Sequence, residues 1–296
     1  MIGMLHLRAK IRVYLEISSE FRYSNVNLKE RSVGLFISQS GETADTIEAL
    51  RYARLQKLNI VSVTNTFNSS IEKISDIVLH TLAGPEIGVA STKTFSSQLV
   101  ILACFAVELA KIKGTLKKES IKHAINSIPR YVEHILHITK IQHIAHYISK
   151  YNSIILTGRG VSYGVAMEGA LKIKELSYIN AIGIAAGEMK HGSIALIDST
   201  VLVIAIIPYD DLFFKTLANI QEVVARSGKV IAFSDKQGTP FLKTICEDIV
   251  ELPKVENFIS PIIYVVAMQL LAYFTAIKKD LDVDCPRNLA KSVTVE

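Results

Sequence analysis

Residues 33–65 read "VGLFISQSGETADTIEALRYARLQKLNIVSVTN". A short apolar run, a turn of hydroxyl, amide and glycine residues, a helical pattern and a second apolar run follow one another, which is the order of a β-α-β unit. Strands that read as continuous apolar runs belong to parallel sheets covered by helices on both faces. The same order returns in "VLVIAI" (201–206), "DDLFFKTLANIQEVVARSG" (210–228), "KVIAFSD" (229–235) and "EDIVELP" (247–253). Val33 and Val201 lie 168 positions apart, and Ser75-Asp76-Ile77-Val78 precedes Glu247-Asp248-Ile249-Val250 by 172. Each copy closes on a long apolar helix, predicted over 93–113 and 260–278.

The fold class expected from this repeat is α/β, with two flavodoxin-like three-layer α/β/α domains on parallel sheets. The second copy opens earlier than the first, with the strand "YNSIILTG" (151–158) and the helix "GVAMEGALKIKELSY" (164–178). Moving these back by the repeat offset passes Met1, so the first domain is expected to lack its initial strand and most of a helix. The domains are read as 1–115, a helical linker over 116–150, 151–284, and a polar tail over 285–296.

Composition narrows the function. Of 296 residues, 49% are apolar and 21% charged, and the net charge of +5 is spread along the chain. No basic patch of the kind that binds nucleic acid is present. Cys104, Cys246 and Cys285 are too far apart for a zinc site or a disulfide framework and read as reduced thiols. The N-terminus lacks the apolar core of a secretory signal, so a cytoplasmic location is expected. Residues 258–277 are long enough to cross a bilayer, but Pro261 and Gln269 suit a buried helix better, and no membrane association is expected. His134, His137, His143 and His146 have no helper carboxylate at useful spacing and read as a polar helix face, not a metal site.

Four stretches can carry chemistry. In "SQSGET" a strand feeds a hydroxyl-rich turn and then a helix, aiming Ser38, Gln39, Ser40, Thr43 and backbone N–H groups at one spot. No lysine follows the glycine, which excludes a nucleotide P-loop. A sugar phosphate fits, and so does an ordinary N-cap at Ser40 with Glu42 and Asp45 in the first turn; these residues alone leave both open. "TGRGVSYG" (157–164) lacks the third glycine and the later acidic residue of a dinucleotide site. Glu168, Lys172 and Glu175 share one helix stripe, read from the residues alone as a solvated face with a stabilising pair, or else as a base held ionised by a cation. "AAGEMKHGSIALID" (185–198) crowds Glu188, Lys190 and His191 between glycines, and the tail carries Lys291.

Together, "SEFRYS" (19–24), "SQSGETADT" (38–46), "EIGVASTKTF" (86–95), "EGALKIKELSYI" (168–179), "AAGEMKHG" (185–192) and "CPRNLAKSVTVE" (285–296) resemble the isomerase half of the glucosamine-6-phosphate synthases, a family built on two sugar isomerase (SIS) domains. The resemblance runs from about residue 12 to the end. It implies conversion of fructose-6-phosphate to glucosamine-6-phosphate, with ammonia supplied by a glutaminase. It implies that Ser38, Gln39, Ser40 and Thr43 hold the phosphate, that Val89, Ser91, Glu168 and Ala290 line the sugar, and that Glu175 moves the proton beside Lys172. It further implies that His191 opens the sugar ring from across a homodimer interface and that Lys291 meets the C2 carbonyl. No metal or cofactor is implied.

The chain departs from the family in having no glutaminase part, which would come from a separate chain. It also lacks the first Gly-Thr-Ser turn, and it has Ser193, Ile182 and Ile184 where other residues are usual. A fructosamine-6-phosphate deglycase and a non-catalytic sugar-phosphate-binding relic are the alternatives.

Overall fold

A computed structural model describes residues 10–24, 32–115, 120–292 and 294. The chain divides into two compact units, one formed by Met1–Lys117 with Asn288–Glu296 and the other by Lys118–Arg287. Of the linker read from sequence over 116–150, residues 120–150 thus belong to the second unit, and tail residues 288–292 belong to the first.

The first unit runs α1 (Ser18–Phe21), β1 (Val33–Ile37), α2 (Ala44–Leu55), β2 (Asn59–Thr64), α3 (Ser70–Ile74), β3 (Ile77–His80) and α4 (Lys93–Ile112). Its strands form a parallel sheet in the order β1-β2-β3, with Val33 opposite Asn59 and Val61 opposite Ile77. Phe36, Leu50, Ala53, Ile60 and Ile71 close the core between sheet and helices. α3 starts on a side-chain cap, in which Ser69 accepts from the Glu72 N–H, and Glu72 reaches back to accept from the N–H of Asn68, the residue before the cap.

The second unit begins with α5 (Ser120–Leu136) and α6 (Thr139–Ile148). It continues through β4 (Ser153–Gly158), α7 (Val161–Ser177), β5 (Asn180–Ala185), two short 3-10 turns (Met189–His191 and Ser193–Leu196) and β6 (Leu202–Ile206). α8 (Phe213–Val224), β7 (Lys229–Asp235), α9 (Thr239–Leu242), β8 (Asp248–Leu252) and α10 (Ser260–Lys278) complete it. All five strands are parallel, in the order β5-β4-β6-β7-β8, and every residue of the central β6 is buried. α10 packs on α7, α6 and α5. Gly183 of β5 lets α7 lie close, because a Cβ there would stand 2.6 Å from the Met167 Cα.

The repeat is therefore real in three dimensions: β1-β2-β3 and β6-β7-β8 have the same order and direction. The first unit lacks a counterpart of β4 among the described residues, as the offset implies. The offset also maps β5 onto residues 10–15, which form no strand. The reason is visible in the second unit, where β5 pairs with β4 and with no other strand.

Among the described residues, two helices are long and apolar enough to cross a membrane by length and composition, each with a mean hydropathy of 1.7. The sequence reading found only the later one, α10, whose apolar window is 78% buried; α4 passes the same test. At the centre of the second core, Leu156 of β4 is fully buried. Leu156→Ala should cost about 2–5 kcal/mol through lost contacts and a residual cavity. The midpoint of urea unfolding, followed by circular dichroism, measures this, and an unchanged midpoint would contradict the packing described.

Candidate functional site

The hydroxyl turn leaves β1 at Ser38, whose N–H donates to the Val63 carbonyl at 3.0 Å. The buried Ser38 hydroxyl accepts from the Gly41 N–H at 3.0 Å and pairs with the Thr43 hydroxyl at 2.9 Å. Ser40 Oγ accepts from the Glu42 N–H at 3.2 Å. Gly41 sits at φ +68°, and a Cβ there would fall 2.2 Å from Ser69 Oγ, so the bend requires glycine. The N-cap of α2 is Thr43, which makes no side-chain capping bond. Of the alternative N-cap at Ser40 with Glu42 and Asp45 in the first turn, only Asp45 takes its expected place; the cap lies at Thr43 and Glu42 precedes the helix. The Gly41 bend instead sends the Glu42 carboxylate to the start of α3, where it accepts from the Ser70 N–H at 2.7 Å. Hydrogen bonding from the Ser70 side chain, and then from its N–H, holds the Glu42 carboxyl below its ordinary value of 4.5.

The equivalent turn after β6 has the opposite character. It carries Asp210 and Asp211, and Asp235 at the end of β7 is buried and accepts from the Tyr209 N–H at 2.8 Å. Of the two repeat-related turns, only the first is free of carboxylates aimed inward, so only the first suits an anion.

The tail joins that turn to a further segment of the first unit. Ser292 of the tail donates to Ser40 Oγ at 3.3 Å, and the neighbouring Lys291 donates to the Gly88 carbonyl at 2.6 Å. The "GVAST" loop and the hydroxyl turn are thus both reached by consecutive tail residues. Ser91 pairs with the fully buried Thr94 hydroxyl, and Gln39 contributes its carbonyl, which accepts from the Asn65 N–H at 3.1 Å. Val89 is half-buried and Ala290 exposed.

The second unit holds the remaining residues singled out from the sequence. Lys172 is only 3% exposed, and its ammonium lies 2.5 Å from Glu175 and 3.6 Å from Glu168. The solvated-face reading of this stripe is therefore overturned. α7 is enclosed on several sides, with Val165, Ala166, Gly169, Ala170, Ile173 and Leu176 buried as well. One Glu168 oxygen is buried without a hydrogen-bond partner among the described residues. Burial raises the Glu168 carboxyl above 4.5; Lys172 counters this and Glu175 adds to it. His191 ends the first 3-10 turn and is exposed, with no bond to the Glu168–Lys172–Glu175 cluster.

The SIS domain family model matches residues 5–108 and 147–279. The C-terminal domain of glucosamine-fructose-6-phosphate aminotransferase from Francisella tularensis is 41% identical, superposes with a TM-score of 0.91, and is 82% covered by 96% of this chain. The chain belongs to this branch of the SIS domain family. Glutamine–fructose-6-phosphate aminotransferases (isomerizing) of Brucella abortus and Mesorhizobium japonicum are each 48% identical over 97% of the chain and 48% of their own length. The chain thus spans about half the length of these curated relatives.

Within this SIS pair the sequence reading missed Glu86, Thr92 and Thr94. The Glu86 side chain is 4% exposed and accepts from the Thr92 N–H at 2.7 Å, the Thr92 hydroxyl at 3.0 Å, the Ser91 hydroxyl at 3.2 Å and the Thr94 hydroxyl. Burial pushes the Glu86 carboxyl up, but the bonds from Thr94 and Thr92 and the charge of Lys291 outweigh it and hold it below 4.5. The available signal was an acidic residue followed by hydroxyls five, six and eight positions on.

Gly41→Ala forces a positive φ on a residue with a Cβ, at about 1–2 kcal/mol before the clash with Ser69 is counted. A lowered melting temperature of the first unit checks this. The carboxyls also fix the sign of the pH response. Glu42 and Glu86, depressed in the folded state, contribute stability above pH 4.5 that is lost as the pH falls through their folded values. Glu168, raised in the folded state, opposes folding when ionised, and its penalty fades as the pH falls through its folded value towards 4.5. Urea titrations of Glu86→Gln and Glu168→Gln between pH 7 and pH 4 should differ from wild type with these opposite slopes.

Proposed function

We propose that the chain binds fructose-6-phosphate and performs the isomerising half of glucosamine-6-phosphate formation, in which the ketose phosphate and ammonia give the amino sugar phosphate and water. The observation that carries this reading is the meeting of three segments in the first unit: Ser292 on Ser40, and Lys291 on Gly88. A turn of hydroxyls at a helix start suits a phosphate, and an amine held beside it suits a carbonyl.

Ser38, Gln39, Ser40 and Thr43 hold the phosphate, while Val89, Ser91, Glu168 and Ala290 line the sugar. His191, donated by the second copy in a homodimer, carries the proton of the anomeric hydroxyl to the ring oxygen and opens the ring. The Lys291 amine adds to the C2 carbonyl and water leaves, forming an imine. Ammonia then displaces the lysine from C2. Glu175 takes a proton from C1 and returns it to C2 while the C1 hydroxyl proton passes to the nitrogen, leaving an aldehyde at C1 and an amine at C2. Lys172 donates to that base at 2.5 Å and fixes its place. A positioned base of this kind contributes about 10²–10⁴-fold in rate. The relatives' names point to glutamine as the nitrogen source, so a glutaminase domain or chain supplies the ammonia.

Incubation with fructose-6-phosphate in D₂O, with and without ammonium, tests the reading. Deuterium should enter the substrate carbon chain, and ammonium should yield glucosamine-6-phosphate. Glu175→Gln should lose exchange by about 10²–10⁴-fold with calorimetric binding retained. Ser40→Ala with Thr43→Ala should instead weaken binding, by about 1.5–3 kcal/mol for each hydrogen bond lost to the phosphate. Equal binding loss in both variants contradicts the roles. Release of an amino acid from fructosamine-6-phosphate would assign a deglycase, and binding without turnover a relic.

A further inference from the structure

Glu86 occupies a position that the roles above leave unused. Its carboxylate stands at the start of the "EIGVAST" loop and receives four donors from residues 91–94 of the same loop. One oxygen takes the Thr92 N–H and hydroxyl; the other takes the Ser91 and Thr94 hydroxyls and faces the Lys291 ammonium at 3.8 Å. Ser91 and Thr94 have one hydroxyl proton each for these two bonds and for the bond between them, so the carboxylate is held by the Thr92 N–H and hydroxyl on one oxygen and by the Ser91–Thr94 pair on the other. Its own loop thus fixes Glu86 in place beside the tail amine.

The hold is shared. Lys291 is bonded to the Gly88 carbonyl and drawn to Glu86, both on one loop, while the same carboxylate fixes the Ser91 hydroxyl. We infer that Glu86 is a positioning residue: one buried carboxylate sets the place of the tail amine and the shape of the "GVAST" loop together, so that a docked tail and a formed sugar pocket are a single state. A glutamine keeps the size of the side chain but presents N–H groups where it must accept from Thr92 or face an ammonium. An aspartate keeps the charge but draws it back from Lys291.

The catalytic consequence rests on the proposed role of Lys291; the docking does not. Full-length wild type, Glu86→Gln and Glu86→Asp can therefore be compared in two ways. The first is the rate at which acetic anhydride labels Lys291 without sugar, read by mass spectrometry of the tail peptide. Glu86→Gln should label several-fold faster than wild type and Glu86→Asp should fall between; an unchanged rate overturns the inference. The second is steady-state turnover of fructose-6-phosphate with ammonium, together with borohydride trapping of the sugar on Lys291. Because a misplacement of about 1 Å costs on the order of 10²-fold in rate, Glu86→Gln should lower kcat and the trapped adduct by up to that factor with KM little changed. Equal losses in KM and kcat, without rescue by Glu86→Asp, would mark a merely structural residue and overturn the inference. If wild type itself neither binds nor traps the sugar, the proposed function fails, and the labelling rate still decides whether Glu86 holds the tail. If Glu86→Gln fails to fold, Glu86→Asp carries the same comparison.

Discussion

Parallel pairing is the constraint on which the rest depends. A parallel strand cannot return by a tight turn, so each connection crosses the sheet through a helix and every strand delivers its carboxyl end to the same edge. In the first unit this gathers the turn after β1, the end of β2 and the loop after β3. Asn65, just beyond β2, binds them into one surface: its N–H donates to Gln39, its side-chain amide donates to the Gly84 carbonyl, and its side-chain oxygen accepts from Thr81 and Ala83. The hydroxyl turn and the "GVAST" loop are neighbours because the strands before them are parallel.

The chemistry of the two repeats then diverges through charge. At the edge of the first sheet the turn is built of hydroxyls that bond one another and the turn's own N–H groups, and its glutamate, Glu42, is turned away to the start of α3. At the edge of the second, buried Asp235 and half-buried Asp210 take the backbone donors for themselves. The charged residues that the second unit does concentrate are on α7, where a buried lysine is flanked by two glutamates. Such a group is costly to enclose, and removing one partner leaves an uncompensated charge. An arrangement of this kind gains little stability over an apolar helix face, which is consistent with a role in chemistry rather than in folding.

Most of the architecture was legible because a buried parallel strand and an amphipathic helix leave different periods in a sequence. The 168–172-residue offset fixed which elements correspond, and it agrees with β4 having no counterpart among the described residues. That residues 10–15 form no strand could not be read locally, since their pairing depends on another segment. The burial of Lys172 was equally hidden. Glu168, Lys172 and Glu175 have the same spacing whether their helix faces water or protein. The Glu86 hub escaped because its donors come from a loop, whose folding back on itself has no periodic signature. The hydroxyl turn was visible as a turn, but the direction of Glu42, which separates an anion cradle from a conventional cap, is set by a glycine bend and by α3 28 residues later.

The outer side of β1 pairs with no strand among the described residues, and Val33 and Ile37 on it are 56% and 42% exposed. Tyr14, Leu15 and Ile17 add further exposed apolar surface in the same unit. A strand edge of this kind is a template for any extended chain that reaches it. At high concentration, or on a ribosome-crowded nascent chain, the colloidal behaviour of this protein is therefore governed less by its modest net charge than by whatever segment occupies that edge first.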